Sequence, residues 1–358
     1  MKVCIIGDGI TSLTLALSLV KQNIQVDNIV KKKINQTYKS RTIGVSKSNF
    51  DFINKNIVNI ENISWKLNKI EIYTDNLEKE KILNFENGQS YLFSILRNRN
   101  FYKILEKKLS NNKFYKKILF NDKCSYLKDY SLVINTDLSN ILTKKYFNKK
   151  IVKKYNSFAY TSTFKHENIP NNTATQIFTK NGPLAFLPIS RNETSVVYSL
   201  NNYNFKKDKD IENLIKKYNF KYKIKKIKKI EKFELKSLNL RSYYHKNILA
   251  FGDLLHRIHP LAGQGFNMTI RDIDILSKII RNKINLGLPL DSAVNIEFEN
   301  KLKHKNFIFS SGIDLIYELF NLERKINNSI ISKSVQMLGR NYSINKIFTK
   351  IADRGINF

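Results

Sequence analysis

The chain has 358 residues, of which 42% are hydrophobic and 12% aromatic, so the composition excludes a disordered protein and allows a sizeable buried core. The 62 Lys and Arg residues against 30 Asp and Glu give a formal net charge of +32, which favours an anionic partner, either a nucleic acid or an acidic membrane surface. The basic residues are scattered through almost every segment and accompany no recognition motif, so we expect no specific nucleic-acid binding.

The N-terminal segment has the pattern of a β-α-β unit that binds a dinucleotide. A β-prone run, Lys2–Ile6, precedes Gly7, Gly9 and Ser12, and a helix with apolar residues at helical spacing follows. The first glycine allows a tight turn, the second lets a pyrophosphate approach the backbone, and the third position must be small. The next apolar run, residues 24–30, ends on lysines instead of the acidic residue expected at the adenosine ribose. Lysines there suit a 2′-phosphate, but in so basic a chain they carry no weight.

The N-terminal apolar run and the two cysteines also indicate where in the cell the protein is expected. Glycines interrupt the apolar run and no cleavage site follows, so we expect no signal peptide. No apolar run reaches the ~20 residues that span a bilayer. Cys4 and Cys124 are too few for a disulfide framework or a metal-ligand cluster, so we expect a reducing environment and no metal site. The sequence therefore predicts a cytoplasmic protein, soluble or lying on the membrane surface.

The middle of the chain predicts a second kind of fold. A helix begins near Asn49, an amphipathic helix covers residues 98–109, and a short buried strand at 131–134 leads to Asp137. The later strands, which lack intervening helices, form a mostly antiparallel sheet that is unlike a dinucleotide fold and indicates an inserted substrate domain; they cover residues 158–164, 176–178 and 195–200. Residues 293–358 read as largely helical.

The most informative segment lies near residue 260. A buried strand at 248–251 leads into a polar loop, and a glycine pair then opens a helix. A helix start carries free N–H groups and a positive dipole end, which suit an anionic or electron-rich ligand. The alternative is an ordinary strand-to-helix crossover. The residues of interest are Gly252, Asp253, His256, His259, Pro260, Gly263, Gln264, Gly265 and Asn267.

Together these motifs resemble the class A flavoprotein aromatic hydroxylases, and among them the ubiquinone-biosynthesis hydroxylase family. The likeness rests on the N-terminal Gly-x-Gly, on Gly-Asp and His-Pro-x-x-Gly-Gln-Gly near residue 260, and on Gly-Pro-Leu-Ala-Phe-Leu-Pro at 182–188. It implies an α/β fold with a Rossmann-like FAD-binding domain of the GR2 type, an inserted antiparallel β-sheet substrate domain and a helical C-terminal region. The implied boundaries are 1–50, 95–155 and 245–290 for the FAD domain, 51–94 and 156–244 for the sheet domain, and 291–358 for the helical region.

The resemblance also implies FAD as the cofactor. The first glycine loop would hold the pyrophosphate, Asp253 would accept a hydrogen bond from a ribityl hydroxyl, and the helix after residue 263 would direct its positive end at the flavin ring. The candidate site lining is His256, His259 and Pro260, and no catalytic base is identified. The residues that the resemblance assigns to FAD are Gly7, Gly9, Ser12, Arg41, Asp137, Gly252, Asp253, Pro260, Gly263, Gln264, Gly265 and Asn267.

The implied activity is hydroxylation of a polyprenylated phenol in ubiquinone biosynthesis, with O2, a flavin C4a-hydroperoxide and NAD(P)H as electron donor. Implied partners are other ubiquinone-biosynthesis proteins and an anionic membrane surface, with the chain peripheral on the inner face of the membrane. Leu138 replaces a glycine of the family's second cofactor motif. That departure and the missing ribose acid leave open a non-catalytic scaffold subunit. Another flavoenzyme, such as a prenyl reductase, is a further alternative.

Overall fold

The computed structural model describes residues 2–31, 41–77, 80–86, 90–119, 127, 129–200, 208–326 and 329–356. The predictions that concern Lys32, Lys33 and Cys124 lie outside these residues.

A six-stranded, mostly parallel sheet forms the first layer. Its order is β16-β17-β9-β1-β2-β8, and only the β16–β17 pairing is antiparallel. Because the parallel strands run in one direction, their carboxyl ends lie at one edge, where ligands bind in such sheets. The predicted N-terminal β-α-β unit is present. The strands are β1 (Lys2–Ile6), β2 (Gln25–Val30), β8 (Tyr115–Leu119), β9 (Leu132–Asn135), β16 (Tyr244–His245) and β17 (Ile248–Ala250).

A nine-stranded sheet forms the second layer. Eight strands follow the order β18-β15-β10-β13-β12-β11-β5-β6, β14 also pairs with β10, and the β11–β5 pairing is parallel. The mostly antiparallel sheet agrees with the prediction. The strands are β5 (Lys69–Thr74), β6 (Lys81–Glu86), β10 (Lys150–His166), β11 (Thr173–Thr179), β12 (Gly182–Ser190), β13 (Glu193–Leu200), β14 (Ile224–Ile227), β15 (Glu231–Leu240) and β18 (His256–Arg257).

A three-stranded antiparallel sheet connects the two layers. Its order is β3-β7-β4, and its strands are β3 (Thr42–Ser46), β4 (Ser64–Leu67) and β7 (Phe93–Arg97). Gly44 of β3 leaves room for the ring of Phe93, because a Cβ on that glycine would lie 2.1 Å from the ring. The Phe93 ring thus fills the space that a side chain on residue 44 would need, and both Gly44 and this ring lie close to Gly263 at the start of the helix that follows it.

The described helices cover both layers. They are α1 (Ile10–Val20), α2 (Lys47–Asn56), α3 (Asn98–Ser110), α4 (Ile141–Tyr146), α5 (Asp208–Tyr218), α6 (Gln264–Asn285), α7 (Ser292–Ile326), α8 (Ile330–Arg340) and α9 (Tyr342–Arg354). Helix α3 buries Phe101, Leu105 and Leu109, the apolar face that the sequence predicts. None of the described helices combines the length and apolar content that crossing a bilayer requires.

Two large buried cores correspond to the two layers. One surrounds the parallel sheet, and the other lies between the antiparallel sheet and α5. The domain boundaries stay a prediction. At the boundary predicted between residues 50 and 51, the side chains of Phe50, Ile53 and Ile60 all belong to the first core. Continuous packing therefore runs past residue 51, the predicted start of the sheet domain.

The segment predicted as a loop between residues 252 and 260 is partly regular. Its short strand β18 pairs with β15, and Leu255 O accepts a hydrogen bond from Leu240 N at 2.9 Å. Leu254 and Leu255 are fully buried. The two leucines therefore anchor this segment between the sheets.

Candidate cofactor site

Three loops converge at the carboxyl edge of the parallel sheet. Gly7 has φ +132°, and a Cβ there would lie 2.2 Å from Thr136 Oγ1 in the loop after β9. Ser12 joins the same contact, because its hydroxyl lies 2.8 Å from the Thr136 hydroxyl. Gly252, at φ +65°, follows β17, and a Cβ on it would lie 2.7 Å from Thr11 Cγ2. Glycine at these positions is therefore required for the loops to meet.

Gly9 differs from these glycines because the space in front of it is open. No heavy atom of the described residues lies within 4 Å of a Cβ placed there, and its φ of −81° is ordinary. It is the N-cap of α1, provides no side-chain cap, and no acidic residue occupies the first turn. A helix start with open space and a positive dipole end could hold a phosphate group.

The adenosine end of such a dinucleotide would meet a basic residue. Lys31 follows β2 directly, and its ammonium lies 3.1 Å from Asp137 Oδ2 and 2.6 Å from Ser139 Oγ. Burial opposes ionisation of Asp137, but hydrogen bonds from Ser139 and Lys31 outweigh it and lower the pKa of the carboxyl group. An acidic side chain, Asp137 of the loop after β9, therefore lies beside the residue that follows β2.

Asn267 joins the small sheet to the start of α6. Its Oδ1 accepts hydrogen bonds from Ser46 N and Asn49 Nδ2, both at 2.9 Å. Its Nδ2 donates to Gly44 O at 3.1 Å and to Gly263 O at 3.0 Å. Since the side chain is fully buried and its amide is engaged on both sides, Asn267 would act on a ligand through these backbones.

Gly263 brings the start of α6 against β3. It is the N-cap at φ +63°, and a Cβ on it would lie 3.6 Å from Gly44 Cα. On the far side, Gln264 Nε2 donates to Ala352 O at 3.0 Å, and the hydroxyl groups of Ser46 and Ser48 donate to Asp353 O. The glycine-built helix start is therefore held between β3 and the last helix, α9.

Four further residues predicted at the cofactor have different environments. Asp253 is exposed, so its carboxylate faces solvent or a ligand. A Cβ on Gly265 would lie 3.9 Å from Ile258. Pro260 is half-buried and precedes the short helical turn before α6. The Arg41 guanidinium lies over the Phe233 ring at 4.4 Å, which places this arginine against the antiparallel sheet.

His256 belongs to a buried network that sequence analysis did not predict. Its Nε2 lies 2.5 Å from Asp272 Oδ2, and Asn306 Nδ2 donates to Asp272 Oδ1 at 3.1 Å. His256 and Asp272 are almost fully buried. The network joins β18, α6 and α7 through pairs that lie 16 and 34 residues apart, so no local spacing could have indicated it.

His259 is buried between two tyrosine rings. The Tyr317 ring stacks on it with centroids 4.3 Å apart, and Tyr155 meets it edge-on at 5.0 Å. Among the described residues, neither imidazole nitrogen has a hydrogen-bond partner. Burial, with a smaller contribution from the charge of Lys153, lowers the pKa of His259 to about 3. The imidazole is therefore neutral around neutral pH and could line a site as an uncharged group.

The depressed pKa of His259 predicts acid sensitivity. From its ordinary pKa of 6.5 down to about 3, the unfolded chain binds a proton that the folded chain excludes. The free energy of unfolding should therefore fall as pH falls through this window, by up to ~1.4 kcal/mol per pH unit. Urea unfolding at pH ~7 and ~5 measures it, and His259→Phe should have the shallower pH dependence. Equal slopes for both proteins would contradict the prediction.

Within the described residues, no three His, Cys, Asp or Glu side chains are grouped closely enough to hold a metal ion.

Comparison with known sequences relates the chain to enzymes of quinone biosynthesis. No protein-family model matches it. It is 32% identical over 166 residues to the 3-demethoxyubiquinol 3-hydroxylase of Escherichia coli (strain K12), covering 43% of this chain and 41% of that protein. It is 25% identical over 231 residues to the mitochondrial ubiquinone biosynthesis monooxygenase COQ6 of Drosophila melanogaster, covering 53% and 48%. The matches thus span less than half the length of these curated relatives.

Comparison with solved structures extends over the whole fold. The p-nitrophenol 4-monooxygenase of Pseudomonas putida superposes with a TM-score of 0.76 at 12% identity, covering 99% of this chain and 98% of the other. Klebsiella pneumoniae HpxO, complexed with FAD and uric acid, gives 0.74 at 13% identity, covering 99% and 97%. The predicted fold class, that of the FAD-dependent monooxygenases, is confirmed.

Proposed function

We propose, from the premise that the chain is a relative of the class A flavoprotein hydroxylases of ubiquinone biosynthesis, that it binds FAD and hydroxylates a polyprenylated phenol. The E. coli and Drosophila relatives are named as a ubiquinol hydroxylase and a ubiquinone biosynthesis monooxygenase. O2 is the proposed oxidant and NAD(P)H the proposed electron donor. The matches cover less than half of each of these two relatives, so their named activities do not suffice on their own. The proposal therefore also rests on the site of this chain.

One observation carries the proposal: two glycine-built helix starts with different surroundings. The first, at Gly9, opens at the carboxyl edge of the parallel sheet and fits a pyrophosphate. The second, at Gly263, lies against Gly44 of β3 and is held on its other side by α9. FAD has a charged pyrophosphate in its middle and a flat ring system at one end. The first helix start would bind the pyrophosphate, and the second would face the ring.

The residues of the chain have distinct proposed roles toward FAD. Backbone N–H groups after Gly9 would bind the pyrophosphate, and the exposed carboxylate of Asp253 would accept a hydrogen bond from a ribityl hydroxyl. The positive end of α6 would face the ring edge that becomes electron-rich on reduction. The Asp137 and Lys31 pair would meet the adenosine ribose. When bound, FAD supplies the redox chemistry with dioxygen.

The protein's own contribution would be binding, orientation and exclusion of water. Asn267 fixes the backbones of Gly44 and Gly263, so the ring end would be preorganised. The uncharged imidazole of His259, next to Pro260, would line the substrate side. A prenylated substrate is apolar and resides in membranes, so we also propose a peripheral location on the inner face of the membrane. Other ubiquinone-biosynthesis proteins are the proposed partners there.

Reconstitution and isotope labelling test the proposal. The purified chain should bind FAD with a flavin spectrum, and a deletion strain should accumulate an unhydroxylated quinone precursor. In the presence of 18O2 the product should carry one labelled oxygen atom. A product without label would identify another flavoenzyme, such as a prenyl reductase. Complementation by a variant that cannot bind FAD would instead identify a scaffold subunit.

A further inference from the structure

The second half of α7 exposes a continuous apolar stripe. Its positions alternate four and three residues apart, the spacing that keeps side chains on one face of a helix. The large side chains in it are between 37% and 62% exposed, although each is an isoleucine or a leucine. We call these positions the α7 seam, which consists of Ile308, Gly312, Leu315, Leu319, Leu322 and Ile326.

Composition bias does not explain the seam. Lys and Arg account for 62 of the 358 residues, so about three would be expected in any stretch of similar length. Residues 306–323 contain none. Lysines reappear directly on both sides, at Lys303 and Lys305 before the stretch and at Lys325 after it. Basic residues are thus absent from the apolar stretch of the helix and present at both ends of that stretch.

The other side of α7 packs against the rest of the protein. Phe309 and Tyr317 are buried, and the ring of Phe320 stacks on Phe178 of the antiparallel sheet at 3.8 Å. The seam therefore lies on the outward side. Five large apolar side chains in one exposed row are unusual for a surface without a partner.

The acidic residues of the same stretch are all paired away from the seam. Asp314 accepts hydrogen bonds from Tyr155 and Ser237. Glu318 pairs with Lys153 at 2.8 Å, and Glu323 accepts from Ser332 Oγ at 2.6 Å. No uncompensated negative charge within this part of the described helix would repel an acidic lipid. Farther on, residues 324–354 carry seven basic residues and one acidic residue.

We propose that the α7 seam docks the protein onto a bilayer surface rich in acidic lipid headgroups. The apolar row would enter the boundary between headgroups and acyl chains, and the flanking lysines would reach the phosphates. A second copy of the chain fits the same surface less well, because each copy carries a net charge of +32 and two such copies repel each other. The α7 seam would be the surface that contacts the membrane in the proposed peripheral location, and this role does not depend on FAD binding.

Vesicle binding tests the surface. The full chain should sediment with vesicles of phosphatidylcholine and phosphatidylglycerol at least ~10-fold more strongly than with phosphatidylcholine alone. The triple variant Leu315→Ser, Leu319→Ser, Leu322→Ser should lose at least ~10-fold of this binding. A matched control replaces three exposed leucines outside the seam, which are 41% to 71% exposed, and should bind like the unmodified chain; the residues are Leu119, Leu286 and Leu288.

Three results would overturn the proposal. The first is equal vesicle binding by the seam variant and the control, and the second is no vesicle binding by the unmodified chain. The third is a dimer in light scattering that the seam variant converts to a monomer without loss of vesicle binding, which would assign the seam to a second copy. Thermal unfolding of both variants checks that the fold is intact. FAD binding by the seam variant should be unchanged, so a failed flavin assignment and a failed docking assignment give different results.

Discussion

Replacing Gly9 with valine is expected to weaken FAD binding strongly while the protein stays folded. The valine side chain would project into the open space before α1, where the pyrophosphate would approach the backbone. Because the φ of Gly9 is ordinary and no described atom lies within 4 Å of the added Cβ, the substitution creates neither strain nor a clash in the free protein. We expect a loss of affinity on the order of 100-fold, about 2.8 kcal/mol.

Fluorescence titration with FAD measures this effect, and two other glycines serve as comparisons. Gly312→Val also adds a side chain where no described atom lies within 4 Å, but in α7, so FAD affinity should stay unchanged. Gly7→Ala should lower stability itself, because its Cβ would overlap Thr136 and its φ is +132°. If Gly9→Val bound FAD as tightly as the unmodified chain, the first helix start would not be the phosphate site.

Asp272→Ala is expected to lower the free energy of unfolding by about 2–6 kcal/mol, because two buried hydrogen-bonding groups lose their partner at ~1–3 kcal/mol each. The substitution leaves His256 Nε2 and Asn306 Nδ2 without their acceptor in a region almost closed to water. Because this network joins β18, α6 and α7, its loss would loosen the segment that ends at Gly263. Urea unfolding measures the change.

A surface aspartate on the same helix provides the control. Asp274 pairs with Lys278 at 2.7 Å, four residues along α6 and open to solvent. Asp274→Ala should therefore cost only ~0.5 kcal/mol. Equal destabilisation by the two substitutions would mean that the buried network contributes no more than a surface pair.

Local patterns predicted most of the elements around the site. Apolar spacing indicated α1, α3 and α6, and the Gly-x-Gly motif located the turn after β1, because helices and tight turns impose short-range constraints on a sequence. The start of α6 was predicted to within one residue. These elements are visible in sequence since each is decided by residues that are close neighbours along the chain.

The contacts that depend on tertiary packing could not be predicted in the same way. Asn267 was expected at the cofactor, yet its amide is engaged with the backbones of β3 and α6, which only the folded arrangement brings together. The Asp137 and Lys31 pair joins residues more than 100 positions apart. Hydrogen bonds of this kind leave no periodic signal, because either partner can be supplied from any part of the chain.

The anchorage of α9 has a consequence for how the sequence can diverge. Gln264, Ser46 and Ser48 reach α9 through the main-chain oxygens of Ala352 and Asp353. A carbonyl acceptor is the same whichever residue carries it, so these three contacts depend on the backbone of this helix. The side chain of Asp353 adds a contact of its own, because its Oδ1 accepts a hydrogen bond from Ser48 N at 2.8 Å. The three carbonyl contacts therefore tolerate changes of side chain in this helix and still hold the start of α6 in the same place, as long as no proline interrupts the helix.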